Sequence, residues 1–304
     1  MDDKYSSRYW IRVAIVVALA ALILSIQIQD ESRLLQELED SSHVLIFGLA
    51  SLFLLPDRKA GWRVYLTVAV AVTVLGICTE LMQGMEGKDA ELGDVFRDAV
   101  GAAVFLAITG AYHHKCAAWM RRLIVLVSIA VILSIFSPPI LTTSAIGYRW
   151  YRFPVIADFR SPLDTRLCSA SNAHILRVCV RTRFAVLIKF NKEAPFSTFA
   201  INGPFPDWSG YKSLCFRVSS DLPHPILLNL RIHDAQHNNE FDDRYNAELQ
   251  IKPGRNDIKI PVQAIEQSPV KRRMDMRAIR AIVLFTGKPE ENLNLIVDDF
   301  HLES

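Results

Sequence analysis

Two groups of residues in this sequence have types and spacings that could do chemistry. In the first half His43, Glu80, Gln83, Asp94 and Asp98 stand inside otherwise apolar runs. Glu80 and Gln83 are three apart and Asp94 and Asp98 four apart, so each pair shares one face of a helix. On a rise of 1.5 Å per residue Asp98 lies about 6 Å below Asp94, a depth comparable with that of Glu80. Carboxylates, an amide and an imidazole at one level suit a polar headgroup, with or without a hard divalent cation such as Mg2+ or Ca2+. Acid–base catalysis there would require one carboxylate kept protonated beside another kept ionised. Each residue also has a plainer role. Asp94 can cap a helix, Glu80 and Gln83 can be wetted by headgroup water, His43 can sit at a helix end, and Arg97 can pair with Asp98 beside it.

In the second half Arg231, His233, Asp234, His237, Asn239, Asp242, Asp243, Arg244 and Tyr245 gather donors, acceptors and one ring in a short stretch. Such a mix fits a sugar or a polar headgroup, and it also fits a solvated loop between strands. Trp208 and Tyr211 offer rings for stacking on a sugar, though at the entry to a strand they read more naturally as core. The external cysteines, Cys168, Cys179 and Cys215, allow one bridge and one spare thiol, with Cys168 to Cys179 closing a hairpin, or three buried thiols. No CxxC, HExxH, GxSxG, phosphate-binding loop or Gly-rich dinucleotide fingerprint is present, so catalysis is not the expected role.

These residues need elements to hold them. The chain has 304 residues, 51% hydrophobic and 22% charged, with a formal net charge of +2. The apolar excess sits almost wholly before residue 145. That distribution excludes a single soluble enzyme, a coiled coil, a disordered chain and a disulfide-dense miniprotein. The balanced charge excludes nucleic acid as a main partner. A bilayer takes about 20 apolar residues per helix, and five segments come near that length: 10–28, 43–56, 64–83, 95–112 and 123–141. The first is too long for a signal-peptide core and lacks a small-residue cleavage site, so it reads as an uncleaved helix.

Lys and Arg gather at the N-terminus (Lys4, Arg8, Arg12), between the second and third segments (Arg58, Lys59, Arg63) and between the fourth and fifth (Lys115, Arg121, Arg122). The two remaining loops are acidic. This pattern predicts a cytoplasmic N-terminus and an extracytoplasmic C-terminal half. Tyr148, Trp150 and Tyr151 then fall at the expected interfacial belt, within a juxtamembrane linker over 142–151.

Ser42-His43, Glu80-Leu81-Met82-Gln83 and Gly93-Asp94-Val95-Phe96-Arg97-Asp98-Ala99-Val100-Gly101 resemble the VanZ-like family of bacterial membrane proteins, over about residues 40–112. Asp98 stands where many members carry Asn. The resemblance implies a polytopic inner-membrane protein linked to glycopeptide tolerance, and it implies no settled chemistry.

From about Arg152 the pattern becomes short alternating runs: 175–180, 183–190, 213–218, 226–233, 247–251, 257–260, 281–285 and 294–297. Helical pieces are expected at 262–267 and 274–279, and a turn at Pro253-Gly254-Arg255-Asn256. This predicts an all-β sandwich over 152–304. Ala157-Asp158-Phe159, Asp207-Trp208-Ser209-Gly210-Tyr211, Leu230-Arg231-Ile232-His233-Asp234 and Val297-Asp298-Asp299-Phe300-His301-Leu302 resemble the galactose-binding-like jelly roll of carbohydrate-binding modules. The resemblance implies carbohydrate binding and a structural Ca2+ held by Asp158 and Asp298, with Arg160 standing where relatives often carry an acid. No other cofactor is expected.

The combined expectation is an inner-membrane protein of the bacterial cell envelope: a five-helix VanZ-like transmembrane bundle over 1–141 carrying a periplasmic jelly roll that recognises a glycan or lipid-linked component. The lipid bilayer is its first partner. The alternatives are an enzyme or transporter acting on a lipid-linked glycan, and an assembly protein whose β-domain binds another protein.

Overall fold

The computed structural model describes residues 11–12, 16, 32–85, 92–287, 289 and 291–304. They divide into two compact units, Met1–Ile140 and Leu141–Ser304.

The first unit is helical: α1 Arg33–Leu54, α2 Trp62–Met85, α3 Leu92–His113 and the first part of α4 Ala118–Arg152. The expected span over 10–28 lies outside the described residues, except that Ile11, Arg12 and Val16 are helical. Among the described residues three helices, α2, α3 and α4, are long and apolar enough to cross a membrane. The segment expected over 43–56 differs. It begins at Arg33 and takes in Glu37, Glu39 and Asp40, which belong to the first of the two acidic stretches expected as loops. No glycine or proline interrupts residues 33–42, and the run is rich in Leu, Glu and Gln, which propagate a helix readily. The resulting helix opens with charged turns, and its apolar length is short.

Phe47 of α1, Val68 and Val72 of α2, and Ala102 and Leu106 of α3 form the buried apolar centre of this unit. Two glycines let the backbones come close. A Cβ on Gly101 would collide with the Val44 carbonyl, and one on Gly76 would collide with the Asp98 carboxylate. Small residues at such crossings are what permit tight helix contact in lipid.

Helix α4 runs through Pro138 and Pro139 to Arg152, so residues 142–151, expected as a linker, are helical. Each proline removes a donor and frees the carbonyl four residues earlier, here Ser134 and Ile135. Both carbonyls are met by serine hydroxyls. Ser137 Oγ donates to Ser134 O at 2.8 Å. Ser41 Oγ of α1 lies 3.1 Å from Ile135 O and shares its proton with Glu37 O at 2.7 Å. The freed backbone groups are thus re-satisfied, which is the condition for proline inside a membrane helix.

The second unit begins with the last turns of α4. Arg149 donates to Asn202 O at 2.5 Å, Arg152 to Asp158 at 2.6 Å and Arg166 to Thr142 Oγ1 at 3.0 Å, which ties the helix end to the β-structure. The strands are β1 Val155–Ala157, β2 Cys168–Ser171, β3 Ala173–Val180, β4 Arg183–Phe190, β5 Phe196–Asn202, β6 Ser213–Ser220, β7 Ile226–Asp234, β8 Tyr245–Ile251, β9 Gly254–Pro261, β10 Ile279–Gly287 and β11 Leu293–Glu303. Short helices α5 Pro162–Arg166 and α6 Val262–Glu266 and a 3-10 turn at Phe241–Asp243 complete it.

All pairings are antiparallel. One sheet has the order β3-β4-β11-β6-β9, with β1 added to β11, and the other has β2-β5-β10-β7-β8. Alternation along each strand sends one set of side chains inward. Leu228, Leu230 and Ile232 of β7 therefore meet residues such as Leu214, Phe216 and Val218 of β6 in a single core. Trp208 is fully buried in that core, so it is no sugar platform, and Tyr211 is half-buried and packs against the core from its edge.

Several sequence expectations needed revision. Strands β1, β2 and β5 were not foreseen. Residues 274–278 are not helical; Met274 and Met276 are buried two apart, a strand-like spacing, and lead into β10. Cys168 and Cys179 lie on strands of different sheets, so the hairpin-closing bridge expected between them is not formed, and Cys179 is exposed. The turn at Pro253–Asn256 is present, with Gly254 at φ +78° and the Asn256 amide bonded to Lys252 on both sides.

Candidate functional site

In the helical unit the structure brings the expected polar residues inward. His43, Glu80, Gln83 and Asp98 are all buried, and Asp98 is fully so. His43 Nδ1 lies 2.9 Å from Asp98 Oδ1, and His43 Nε2 lies 4.0 Å from Asp94 Oδ2. Asp98 Oδ2 is buried against Gly76 and has no hydrogen-bond partner among the described residues. Asp94 sits inside the first turn of α3 and pairs with Arg97, so it is not the cap. Arg97 also reaches Asp40 of α1 at 3.0 Å, and its partners are these two acids, not Asp98. The alternation of α1 and α3 residues in this network follows from the Gly101 crossing, which draws the two helices together.

In the sandwich the outer face of the β7 sheet carries the second group. Arg231 and His233 are two apart on β7 and point away from the core that takes Leu230 and Ile232. Arg231 stands opposite Val283 of β10 and Asn246 of β8, and His233 stands opposite Ala281. Arg244 bonds Asn246 at 3.0 Å and stacks over Phe241, whose exposed ring the sequence reading had not singled out. The rings of His233 and His237 lie 4.9 Å apart. Tyr245 pairs with Ile232 and packs on the core side, so it leaves this face.

Asp234 and Asp243 turn out to be a clamp. Arg272 forks onto Asp234 at 2.6 and 2.8 Å and onto Asp243 at 2.6 and 3.1 Å, and the Asp275 amide donates to Asp234 at 2.7 Å. Forked Arg–carboxylate pairs are strong and geometrically specific. This one fixes the 235–243 loop against the 270–275 segment. The Arg272 guanidinium holds Asp243 down to about 2. Nothing near Arg272 in sequence announced it, because its two partners are 38 and 29 residues away.

Arg272 thus engages Asp234 and Asp243, and His237 Nδ1–H donates to the Asp243 carbonyl at 3.1 Å. Arg231 Nε, His233 Nδ1 and His237 Nε2 are buried and unpartnered among the described residues. No ion pair reaches Arg231 or Arg244 among them either. Burial first, and then the charge of Arg231, pushes His233 down to about 4, so the ring is neutral at pH 7.

Asp158 and Asp298 line one cleft of about 180 Å³ together with Arg160, Arg183 and Arg217. Asp158 accepts from Arg152, and Asp298 from Arg217 at 2.8 Å. The guanidinium groups already supply the counter-charge that a calcium ion would bring, so this donor set does not fit Ca2+.

The chain matches no family model and no curated protein. Among solved structures it is similar to a family 11 carbohydrate-binding module from Clostridium thermocellum in complex with a β-1,3-1,4-mixed-linked tetrasaccharide, at 14% identity over 49% of this chain and 94% of that one, with a TM-score of 0.39. It is similar to a carbohydrate-binding module specific for non-crystalline cellulose at 10% identity, over 50% and 94% of the two chains, with a TM-score of 0.38. An agarase gives 19% identity, 49% of this chain and a TM-score of 0.39, and only 26% of the agarase is covered. Likenesses this distant carry no argument about what this chain binds, and the functional reading rests on its own residues.

Proposed function

We propose that this protein is a membrane-anchored glycan-recognition protein of the cell envelope, whose C-terminal sandwich binds a glycan bearing an acidic group on the outer face of the β7 sheet. The observation that carries the reading is the set of buried nitrogens, Arg231 Nε, His233 Nδ1 and His237 Nε2, that lack a partner among the described residues, beside an Arg244 that no carboxylate among them neutralises. A buried polar atom left unbonded costs about 1–3 kcal/mol; the Arg231 Nε–H calls for an acceptor oxygen, and the His237 Nε2 lone pair, left by an Nδ1–H that donates to the Asp243 carbonyl, calls for a donor such as a sugar hydroxyl. Guanidinium groups match the paired oxygens of a carboxylate, sulfate or phosphate. The exposed Phe241 ring beside Arg244 offers an apolar surface for a sugar. The three apolar helices support anchoring in the bilayer. The Lys and Arg pattern supports an extracytoplasmic sandwich on an inner membrane, and the VanZ-like residues support an envelope role.

The test is calorimetric titration of the full chain in detergent with oligogalacturonate and with neutral cello-oligosaccharides of equal length. Binding of the acidic oligomer, weakened at least tenfold in Arg231→Ala, is expected. If neither oligomer binds, glycan recognition fails.

A second reading is favoured by a separate observation. The His43–Asp98 pair, with an unbonded Asp98 oxygen in an apolar bundle, is the kind of intramembrane ionisable pair that marks a transport or transfer path. On that reading the helical unit handles the lipid-linked part of the same component.

A further inference from the structure

On the outer face of the other sheet, one register pair along from Arg217 and Asp298, β6 and β11 place Cys215 directly opposite His301, with Glu303 two residues further along β11. One ligand atom from each of these three side chains lies within 4.8 Å of the others. We propose that Cys215, His301 and Glu303 form a zinc site on the sandwich.

The geometry is built for it in three respects. A β-bulge between Asp298 and His301, with Asp299 at φ +61°, adds a residue to β11 and turns His301 outward while Phe300 stays in the core. The His301 Nδ1–H donates to the Asp299 carbonyl at 2.8 Å. That bond leaves the Nε2 lone pair free and orients the ring, the arrangement that metal-binding histidines share. Glu303 then divides its oxygens. Oε2 accepts from Lys259 at 2.6 Å, and Oε1 faces His301 Nε2 at 3.7 Å.

Sulfur, imidazole nitrogen and carboxylate oxygen are the ligand types zinc takes, at about 2.0–2.3 Å, so atoms around one ion sit roughly 3–4 Å apart. Small side-chain rotations close the difference. On binding, the Cys215 thiol gives its proton to solvent and the sulfur binds as thiolate. Three protein ligands leave the fourth tetrahedral position to water.

The test uses the full chain in detergent, stripped with chelator, dialysed against Zn2+ and assayed for bound metal, with Co2+ as a spectroscopic substitute. One zinc per chain and a thiolate-to-cobalt charge-transfer band are expected. Cys215→Ser is expected to abolish the band, and His301→Gln and Glu303→Gln to weaken zinc at least tenfold. Cys179→Ser on β3 and His224→Gln in the loop between β6 and β7, both exposed, should change neither. His301→Gln and Glu303→Gln alter partly exposed groups, so near-ultraviolet dichroism identical to the parent will show that they fold. Absence of bound zinc, absence of the cobalt band, or one zinc retained at parental affinity in both folded variants would each overturn the site.

Discussion

Two buried groups give the sandwich opposing pH slopes over one window. His233 is pushed down to about 4 by burial and then by Arg231, whereas an unfolded histidine titrates near 6.5. As pH falls between those values the unfolded chain takes up the proton first, so stability drops. Asp164 is pushed up to about 6 by burial and then by the Asp158 charge. Its folded state holds the proton more tightly, so the stability it contributes is complete below the ordinary value of 3.8 and is lost as pH rises through about 6. Each effect is roughly 3 kcal/mol at most. Thermal unfolding from pH 4 to 7.5 should therefore show His233→Asn losing the acid-side decline, and Asp164→Asn gaining stability at pH 7.5. A parental profile in both variants would contradict this assignment. In the helical unit Asp98→Asn keeps shape and burial but removes the charge facing His43. On the second reading proposed above, loss of any envelope phenotype with membrane insertion intact is expected, and a parental phenotype would remove the pair from that reading.

At the scale of elements, α4 depends on a residue of another helix. Ser41 shares its hydroxyl proton with the Ile135 carbonyl that Pro139 leaves free. Ser41→Ala should lower stability by about 1 kcal/mol. In a Pro139→Ala background the restored amide meets Ile135 O within the helix, and the same Ser41→Ala change should cost measurably less. Equal costs in both backgrounds, read by thermal unfolding in detergent, would remove the link. The strand β11 shows a comparable dependence. Its alternation from Leu293 to Val297 was readable, but the bulge at Asp298–Asp299 decides that His301 faces Cys215, and it reflects pairing with both β4 and β6. The short run 274–278 was misread as helix for a related reason. Two buried methionines and the hold of Asp234 on the Asp275 amide outweigh local propensity.

For the whole molecule, the proposed arrangement predicts a polarity that can be measured directly. An alkaline-phosphatase reporter after Ser304 should be active, and the same reporter placed at Ala60, beside Arg58 and Lys59, should be silent. The reverse pattern would place the sandwich in the cytosol and remove the envelope glycan as its ligand.

The order of apolar runs followed by alternating runs was enough to divide the chain into helices and a β-sandwich, because periodicity and span length are local properties. The inward-facing polar residues of the helices were legible for the same reason: ionisable groups in apolar segments stand out by type alone. The sequence also pointed to the stretch 231–245, but not to how it divides. Which of its acids are spent on Arg272, that Tyr245 turns to the core, and that Arg231, His233 and His237 are left with empty hydrogen bonds depend on strand pairing and on partners far along the chain. The same holds for Cys215 and His301, which meet only because β6 and β11 are neighbours. Local spacing set the division into helices and strands for most of the chain, and long-range register decided which side chains of different strands meet.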